Sequence, residues 1–351
     1  MLQRTEDVVA MYSRYPYPSP TVGGTLAYDI ANLFYLLCDR DDLNGRKILD
    51  AGCGTGQRVL GFAKRYPKAK FQGIDLTTAS LEVAKQLAQR HNIQNIKFRK
   101  ADILNLNLGE NFDFIISTGV VHHLADPQRG LKNLCQHLAS DGVICLWYYH
   151  PFGESDRLVN RELLLTLWGD QRSDLGRGQW IMEQLGFNLL PEQYGSSATQ
   201  IDHDRSQLSI NADAFMHPIV NSYRFNDAMA MFKTCDVDWV AINGINTAHT
   251  MKLLDLMQVE EKGRDLCLLD SELFRTEALI SLYKSVPKVE QLKVIELLMK
   301  PTGFTIMAGK KNSFERLGNR IAGNLIRNED LPDPNPHLFL VSKYPDSNGR
   351  A

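Results

Sequence analysis

The sequence predicts an α/β protein, a doubly wound sheet with helices on both faces, and three observations predict it. The apolar run Ile48-Leu49-Asp50-Ala51 ends in glycines spaced G-x-G-x-G at Gly52, Gly54 and Gly56, as where a buried strand turns into a helix around a ligand. Short apolar segments then alternate with helically periodic ones as far as residue 150. A further apolar segment ends in a carboxylate, Asp75, 19 residues after Gly56. Strands that alternate with helices in this way pair in parallel, because each crossover must return to the same edge.

The elements follow in order. The first 46 residues contain Met11-Tyr12-Ser13-Arg14-Tyr15-Pro16-Tyr17-Pro18-Ser19-Pro20, whose three prolines and three tyrosines are expected to forbid a helix and favour an extended path. An apolar helix, Leu26 to Leu37, is expected after it. The glycine turn leads into a helix from Gln57 to Tyr66. A turn of this kind holds a nucleotide-like cofactor. A dinucleotide is the weaker of two readings, because its fingerprint needs Gly or Ala at position 57, where the chain has Gln57. The second strand, Lys70 to Asp75, puts the Asp75 carboxylate where a ribose needs an acceptor for its two hydroxyls. A helix with Leu81, Ala84 and Leu87 on its apolar face leads to a third strand, Ile96 to Ala101, followed by Asp102, an acceptor for an adenine amine. The fourth strand, Phe112 to Thr118, runs into Gly119-Val120-Val121-His122-His123-Leu124-Ala125-Asp126-Pro127, and after another helix comes the fifth, Gly142 to Tyr149.

At this point residues 45 to 150 resemble the class I S-adenosylmethionine-dependent methyltransferases. The resemblance rests on the turn Ala51–Gly56, the strand-end acid in Gly73-Ile74-Asp75-Leu76-Thr77, the pair Ala101-Asp102, and the run Val120 to Pro127. It implies S-adenosyl-L-methionine as cofactor, bound by Asp50, Gly52, Cys53, Gly54, Gly56, Asp75, Leu76, Asp102, Ile103 and Thr118. The Val120 to Pro127 run is similar to the branch that methylates small molecules such as quinone precursors, natural products and lipids. The family also implies a mostly parallel seven-stranded sheet with one late antiparallel strand. Two apolar runs beyond residue 150 suit the late strands, Asp238 to Asn243 and Gly303 to Gly309. About 90 residues precede the first of these and about 60 separate the two, far more than compact connections need, so both stretches read as insertions.

This divides the chain into an N-terminal lid segment (1–46), a cofactor-binding core (47–150), a substrate cap (151–225), return strands (226–311) holding a helical insertion (247–300), and a tail (312–351). In many relatives such N-terminal segments fold over the cofactor, where the ring of Tyr17 would attract a sulfonium; alternatively the tyrosines cover an apolar flank. The insertion is expected to form helices Ala248 to Gln258, Leu273 to Tyr283 and Val289 to Met299. The tail from Asn328, with Pro332, Pro334, Pro336 and Pro345, offers one strand candidate, His337 to Val341.

Composition narrows the partners. Of 351 residues 44% are apolar, enough for a core, while 39 basic against 41 acidic residues give a net charge of −2, without the basic excess of a nucleic-acid wrapper. Six cysteines without a C-x-x-C pair read as reduced thiols, with Cys53, Cys135 and Cys145 inside core elements. No run is long and apolar enough for a signal peptide or a membrane span, so a cytoplasmic protein is expected.

Methyl transfer requires in-line positioning and exclusion of water, with a general base only for acceptors that must lose a proton. Candidates at the carboxyl edge are His123, Tyr149 and His150 as catalytic groups, with His122 and His217 touching substrate beside Tyr17. His122 and His123 are adjacent, so one is expected to face the cofactor and the other to pack locally. Asp202, His203, Asp204 and His217 offer metal-ligand chemistry, but their spacing fits no metal pattern, and no metal is expected. The expected activity is methyl transfer from S-adenosylmethionine to a small organic acceptor by direct displacement. A protein or RNA methyltransferase, or a cofactor-binding module without catalysis, are the alternatives.

Overall fold

The strand β1 (Lys47–Ala51) is buried on both faces beyond Lys47, as the centre of a parallel sheet must be. In the computed structural model, which describes residues 2–18, 43–187, 208–247, 250–254, 266–313 and 325–333, the chain builds one mixed sheet around it. In order along the chain come α1 (Leu2–Arg14), β1, α2 (Gln57–Arg65), β2 (Lys70–Asp75), α3 (Thr78–Arg90), β3 (Ile96–Lys100), β4 (Phe112–Thr118), α4 (Pro127–Cys135) and β5 (Leu138–Tyr149). There follow α5 (Ser155–Trp168), α6 (Leu175–Leu185), α7 (Phe225–Met231), β6 (Trp239–Asn246), β7 (Met251–Leu253), α8 (Asp270–Leu273), α9 (Glu277–Ser285), α10 (Lys288–Met299), β8 (Gly303–Gly309) and β9 (Leu325–Arg327).

The strand order is β3-β2-β1-β4-β5-β8-β6-β7, with β9 also on β6. The pairs from β3 to β5 are parallel, and β8 runs antiparallel between β5 and β6. Order reverses at β1, whose neighbours are β2 and β4, and a crevice opens outside the carboxyl ends of the strands at such a point. The register aligns these ends: Ala51 lies opposite Ile74, and Thr118 opposite Trp147. The glycine turn, Asp75, Thr118 and Tyr149 therefore share one edge.

The seven expected strands are present, and two more of three residues each, β7 and β9, pair antiparallel along the free edge of β6. Strands this short carry too few residues to show a period. β7 also replaces the described part of the expected helix Ala248 to Gln258: Met251 and Leu253 are buried around a half-buried Lys252, a period of two that pairing with β6 satisfies. The expected helix Leu273 to Tyr283 is split between α8 and α9, the second capped by the Thr276 hydroxyl, which accepts from the Leu279 N–H at 3.4 Å. At the N-terminus the expected extended path is wrong for Met11 to Arg14, which lie in α1. Proline restricts the residue before it and not the turns upstream, so the helix persists until Tyr15 faces Pro16. The expected Leu26 to Leu37 helix, Asp202, His203, Asp204 and the strand candidate His337 to Val341 lie outside the described residues.

Two apolar cores cover the two faces of the sheet. A third joins α1 to the cap, with Met11 and Tyr15 packed among Leu164, Trp168, Ile181, Met182, Phe215 and Met216. The N-terminal helix and the insertion after β5 are thus one structure over the crevice.

Candidate active site

The glycine turn is built by the chain segments around it. Gly52 has φ +81°, and a Cβ there would stand 2.4 Å from Val120 Cγ2. At Gly54, φ +54°, a Cβ would meet the Tyr17 carbonyl oxygen at 2.3 Å. That carbonyl accepts from the Thr55 N–H at 3.0 Å, so the segment after α1 lies directly on the turn. Asp75 closes the turn from the β2 side: Oδ2 accepts from the Gly54 N–H at 2.9 Å and Oδ1 from the Thr77 N–H at 2.8 Å. Burial raises its carboxyl above the ordinary value against the pull of the Thr77 and Gly54 N–H groups. The Thr77 side chain and the Leu76 N–H also hydrogen-bond to it and pull in the same direction.

Around Asp75, Asp50 is buried, and the Cys53 thiol is pushed well up by burial, then by the charges of Asp50 and Asp75, so it stays neutral. Leu76 is half-buried and Ile103 buried. Asp102 caps the turn Ile103–Asn105, accepting from the Leu104 N–H at 2.9 Å and the Asn105 side chain at 2.7 Å. Thr118 Oγ1, at the end of β4, is buried without a hydrogen-bond partner, and the space a Gly119 Cβ would take is open. These groups fit a ligand with a ribose and a polar chain: acceptors on two strand ends, with a free hydroxyl and open volume between them.

Beyond Gly119 both histidines are buried. The turn Val121–His123 buries His122 and His123 with ring centroids 4.3 Å apart, and His122 lies 4.3 Å from Tyr149. His217 stacks on His123 at 3.8 Å. One residue sets both of their tautomers. His123 Nδ1 lies 2.6 Å from the Ile219 carbonyl, which can only accept, so the proton is on Nδ1. His217 Nδ1 accepts from the Ile219 N–H at 3.0 Å, so its proton is on Nε2. Both Nε2 atoms are buried without a partner. Burial lowers His123 to about 3 and takes His122 and His217 well below the ordinary value. All three are neutral at ordinary pH, so His123 does not titrate near the value of a free imidazole.

His150 is not in this cluster. Its Nε2 is 2.7 Å from Glu296 Oε1, and its Nδ1 accepts from the Phe152 N–H at 3.2 Å, so both ring nitrogens have partners within the chain. Glu296 also accepts from Arg224 Nε at 2.8 Å and from the Phe225 N–H at 2.8 Å. The His150 imidazole clamps β5 to α10 and α7, a structural place apart from the other three histidines.

The structure adds residues that sequence reasoning missed. Tyr12 Oη donates to Asp213 Oδ1 at 2.5 Å, joining α1 to the single π-turn Ala212–Met216. Burial raises Asp213 to about 6, while the Tyr12 hydroxyl and Arg157 pull it down. Arg157 lies over the Tyr149 ring at 4.4 Å, with Nε on Glu154, Nη1 on the Ala214 carbonyl, and Nη2 buried without a partner. Arg161 Nη2 donates to the His217 carbonyl at 2.5 Å. The available hint was two arginines four apart on a helix whose other face is apolar. Among the described residues no group of three His, Cys, Asp or Glu could hold a metal ion, and no helix is long and apolar enough to cross a membrane.

A family model described as a methyltransferase domain matches residues 42–178. An uncharacterized protein of Synechococcus sp. is 30% identical over 227 residues, 61% of this chain and 54% of that one. A malonyl-[acyl-carrier protein] O-methyltransferase of Bacillus cereus is 36% identical over 98 residues, covering 28% of this chain and 35% of that protein. In structure, PKMT2 from Rickettsia typhi in complex with AdoHcy shares the fold with a TM-score of 0.55 at 17% identity, covering 85% of this chain and 55% of that one. The chain spans about half the length, or less, of these relatives.

Proposed function

We propose that the chain, whose residues 42–178 match a methyltransferase domain, is a class I S-adenosylmethionine-dependent methyltransferase that transfers a methyl group to a small organic acceptor by direct displacement. The observation that carries the acceptor class is enclosure. His122, His123, His217, Asp213 and Arg161 are each less than a tenth exposed, so this part of the carboxyl edge presents no open polar face. An enclosed edge of this kind admits a small polar molecule more readily than a folded surface or a nucleic acid.

Asp75 holds the ribose hydroxyls and Asp102 the adenine amine, with Asp50, Gly52, Cys53, Gly54, Gly56, Leu76, Ile103 and Thr118 completing the cofactor site. The bound cofactor supplies an electrophilic methyl group on a sulfonium. The chain's own work is orientation and dryness: α1 and the π-turn close over the edge through the Tyr12–Asp213 hydrogen bond, and Tyr149 and the histidines form the wall. Tyr17 contributes its backbone to the roof of the turn. His123, neutral and with a free Nε2 lone pair, orients an acceptor as a hydrogen-bond acceptor; with a value of about 3 it is a poor base.

The test is transfer of labelled methyl from S-adenosylmethionine to cell extract split into small-molecule, RNA and protein fractions. Label in the small-molecule fraction is expected. Label confined to RNA or protein would overturn the acceptor class, and donor binding without transfer to any fraction would leave a cofactor-binding module.

A further inference from the structure

The buried polar atoms of this region specify more than enclosure. Arg157 is pinned at two of its three nitrogens, Nε by Glu154 and Nη1 by the Ala214 carbonyl, and its plane rests over the Tyr149 ring. Nη2 carries two N–H groups into the interior with nothing to receive them. His217 adds a second donor, because the Ile219 N–H occupies its Nδ1 and leaves the proton on a buried Nε2 that has no partner. Buried donors left unmade are costly, the charged one most of all, so this pair calls for a ligand that offers oxygen lone pairs and negative charge.

Resting on the methyltransferase reading above, we propose that the acceptor presents an ionised carboxylate, held by Arg157 Nη2 and His217 Nε2, and that the carboxylate oxygen itself takes the methyl group. One singly charged donor and one neutral donor match the two oxygens of a carboxylate better than the three of a phosphate. The chemistry agrees. A carboxylate oxygen attacks the methyl carbon with its own lone pair, the carbon–sulfur bond breaks with its electrons going to sulfur, and the products are a methyl ester and a thioether. No proton leaves the acceptor, so no base is required. The imidazoles of His122, His123 and His217 are held neutral by burial and supply none. Two carboxyl groups also face Arg157. Glu154 is already committed to Nε, and Asp213, raised to about 6 and hydrogen-bonded by Tyr12, can take up a proton when a second anion enters.

The experiment reads the product's stability. Labelled product from the small-molecule fraction is treated with mild alkali, which hydrolyses methyl esters to volatile methanol and leaves methyl ethers, amines, thioethers and methylated carbon intact. Release of most of the label as methanol is expected. Alkali-stable label would overturn the carboxylate assignment while leaving methyl transfer standing. Absence of transfer to every fraction would overturn the underlying reading and this inference together. With the acceptor fraction in hand, Arg157→Gln should raise the acceptor KM by about tenfold or more, the loss expected of one charge-assisted hydrogen bond, with donor affinity by calorimetry kept within about threefold. Arg157→Lys should recover part of the loss and guards against misfolding of the first variant. An unchanged KM in folded Arg157→Gln would remove Arg157 from acceptor recognition.

Discussion

Ile219 shows how much one residue can decide, since its N–H and its carbonyl give two stacked imidazoles opposite tautomers. Nothing in its side chain announces this, and the pairing joins positions 96 residues apart. The strand-end acid, by contrast, was legible, because Asp75 follows an apolar run at a spacing that sheet geometry dictates. Asp75→Ala should weaken S-adenosylmethionine at least about tenfold by calorimetry, because the carboxylate is proposed to hold the ribose and fixes the Gly54 and Thr77 N–H groups. Affinity within threefold of the parent would move ribose binding elsewhere. Gly54 is constrained by the chain itself: a side chain there meets the Tyr17 carbonyl, so Gly54→Val should detach the N-terminal segment as well as disturb the site. Asp213 gives a pH signature. Its folded value of about 6 lies above the ordinary 3.8, so the fold binds this proton more tightly than the unfolded chain and loses stability as pH rises between those values. Asp213→Asn cannot ionise. Measured by urea unfolding, its stability relative to the parent should increase from pH 4 to pH 7 by up to about 3 kcal/mol. A difference independent of pH would show that Asp213 titrates normally.

Among the elements, those with a full apolar period were readable: β2, β4 and β8 lie where the residues place them, and α2 ends within one residue of expectation. β7 and β9 were not, because three residues show no period and their pairing is set by a free edge on β6 that exists only once the sheet has formed. The helical insertion reveals its purpose only in three dimensions. α10 carries Glu296 into the end of β5, where His150, Arg224 and the Phe225 N–H all converge on one carboxylate. Burial alone would raise this carboxyl, but those hydrogen bonds hold it below its ordinary value. Glu296→Ala strands the buried His150 and removes the clamp on three elements, and should lower unfolding free energy by about 3 to 5 kcal/mol in urea. The depressed carboxyl also means that this contribution is present above the unfolded value of a glutamate and is lost as pH falls through the folded one. A loss below about 1 kcal/mol would mark the network as a surface pair in effect.

At the scale of the molecule, the chain encloses neutral histidines between its parallel sheet and its cap, and this couples the site to global stability. His122, His123 and His217 come from β4's outgoing turn and from the cap, so their burial requires both parts to be in place. Their folded values lie below the ordinary 6.5, so below that pH the unfolded chain binds protons that the folded chain refuses, and stability falls with acidity. Each such histidine contributes about 1.4 kcal/mol per pH unit once pH is below its unfolded value. The raised carboxyls work in the opposite direction, Asp213 between 3.8 and about 6, with Asp75, Glu154 and Asp227 below their own folded values. The histidines should therefore dominate the slope near pH 6, and the slope should flatten toward pH 5 as those carboxyls take up protons. Urea unfolding from pH 7 down to pH 5 measures it. His217→Gln keeps a side-chain oxygen able to accept from the Ile219 N–H but cannot be protonated, so it should remove the share of one proton from the slope while the enclosed architecture survives. A parent whose stability is flat over this range would mean that the histidines are solvated and this edge open, and the argument from enclosure to a small acceptor would fall with it.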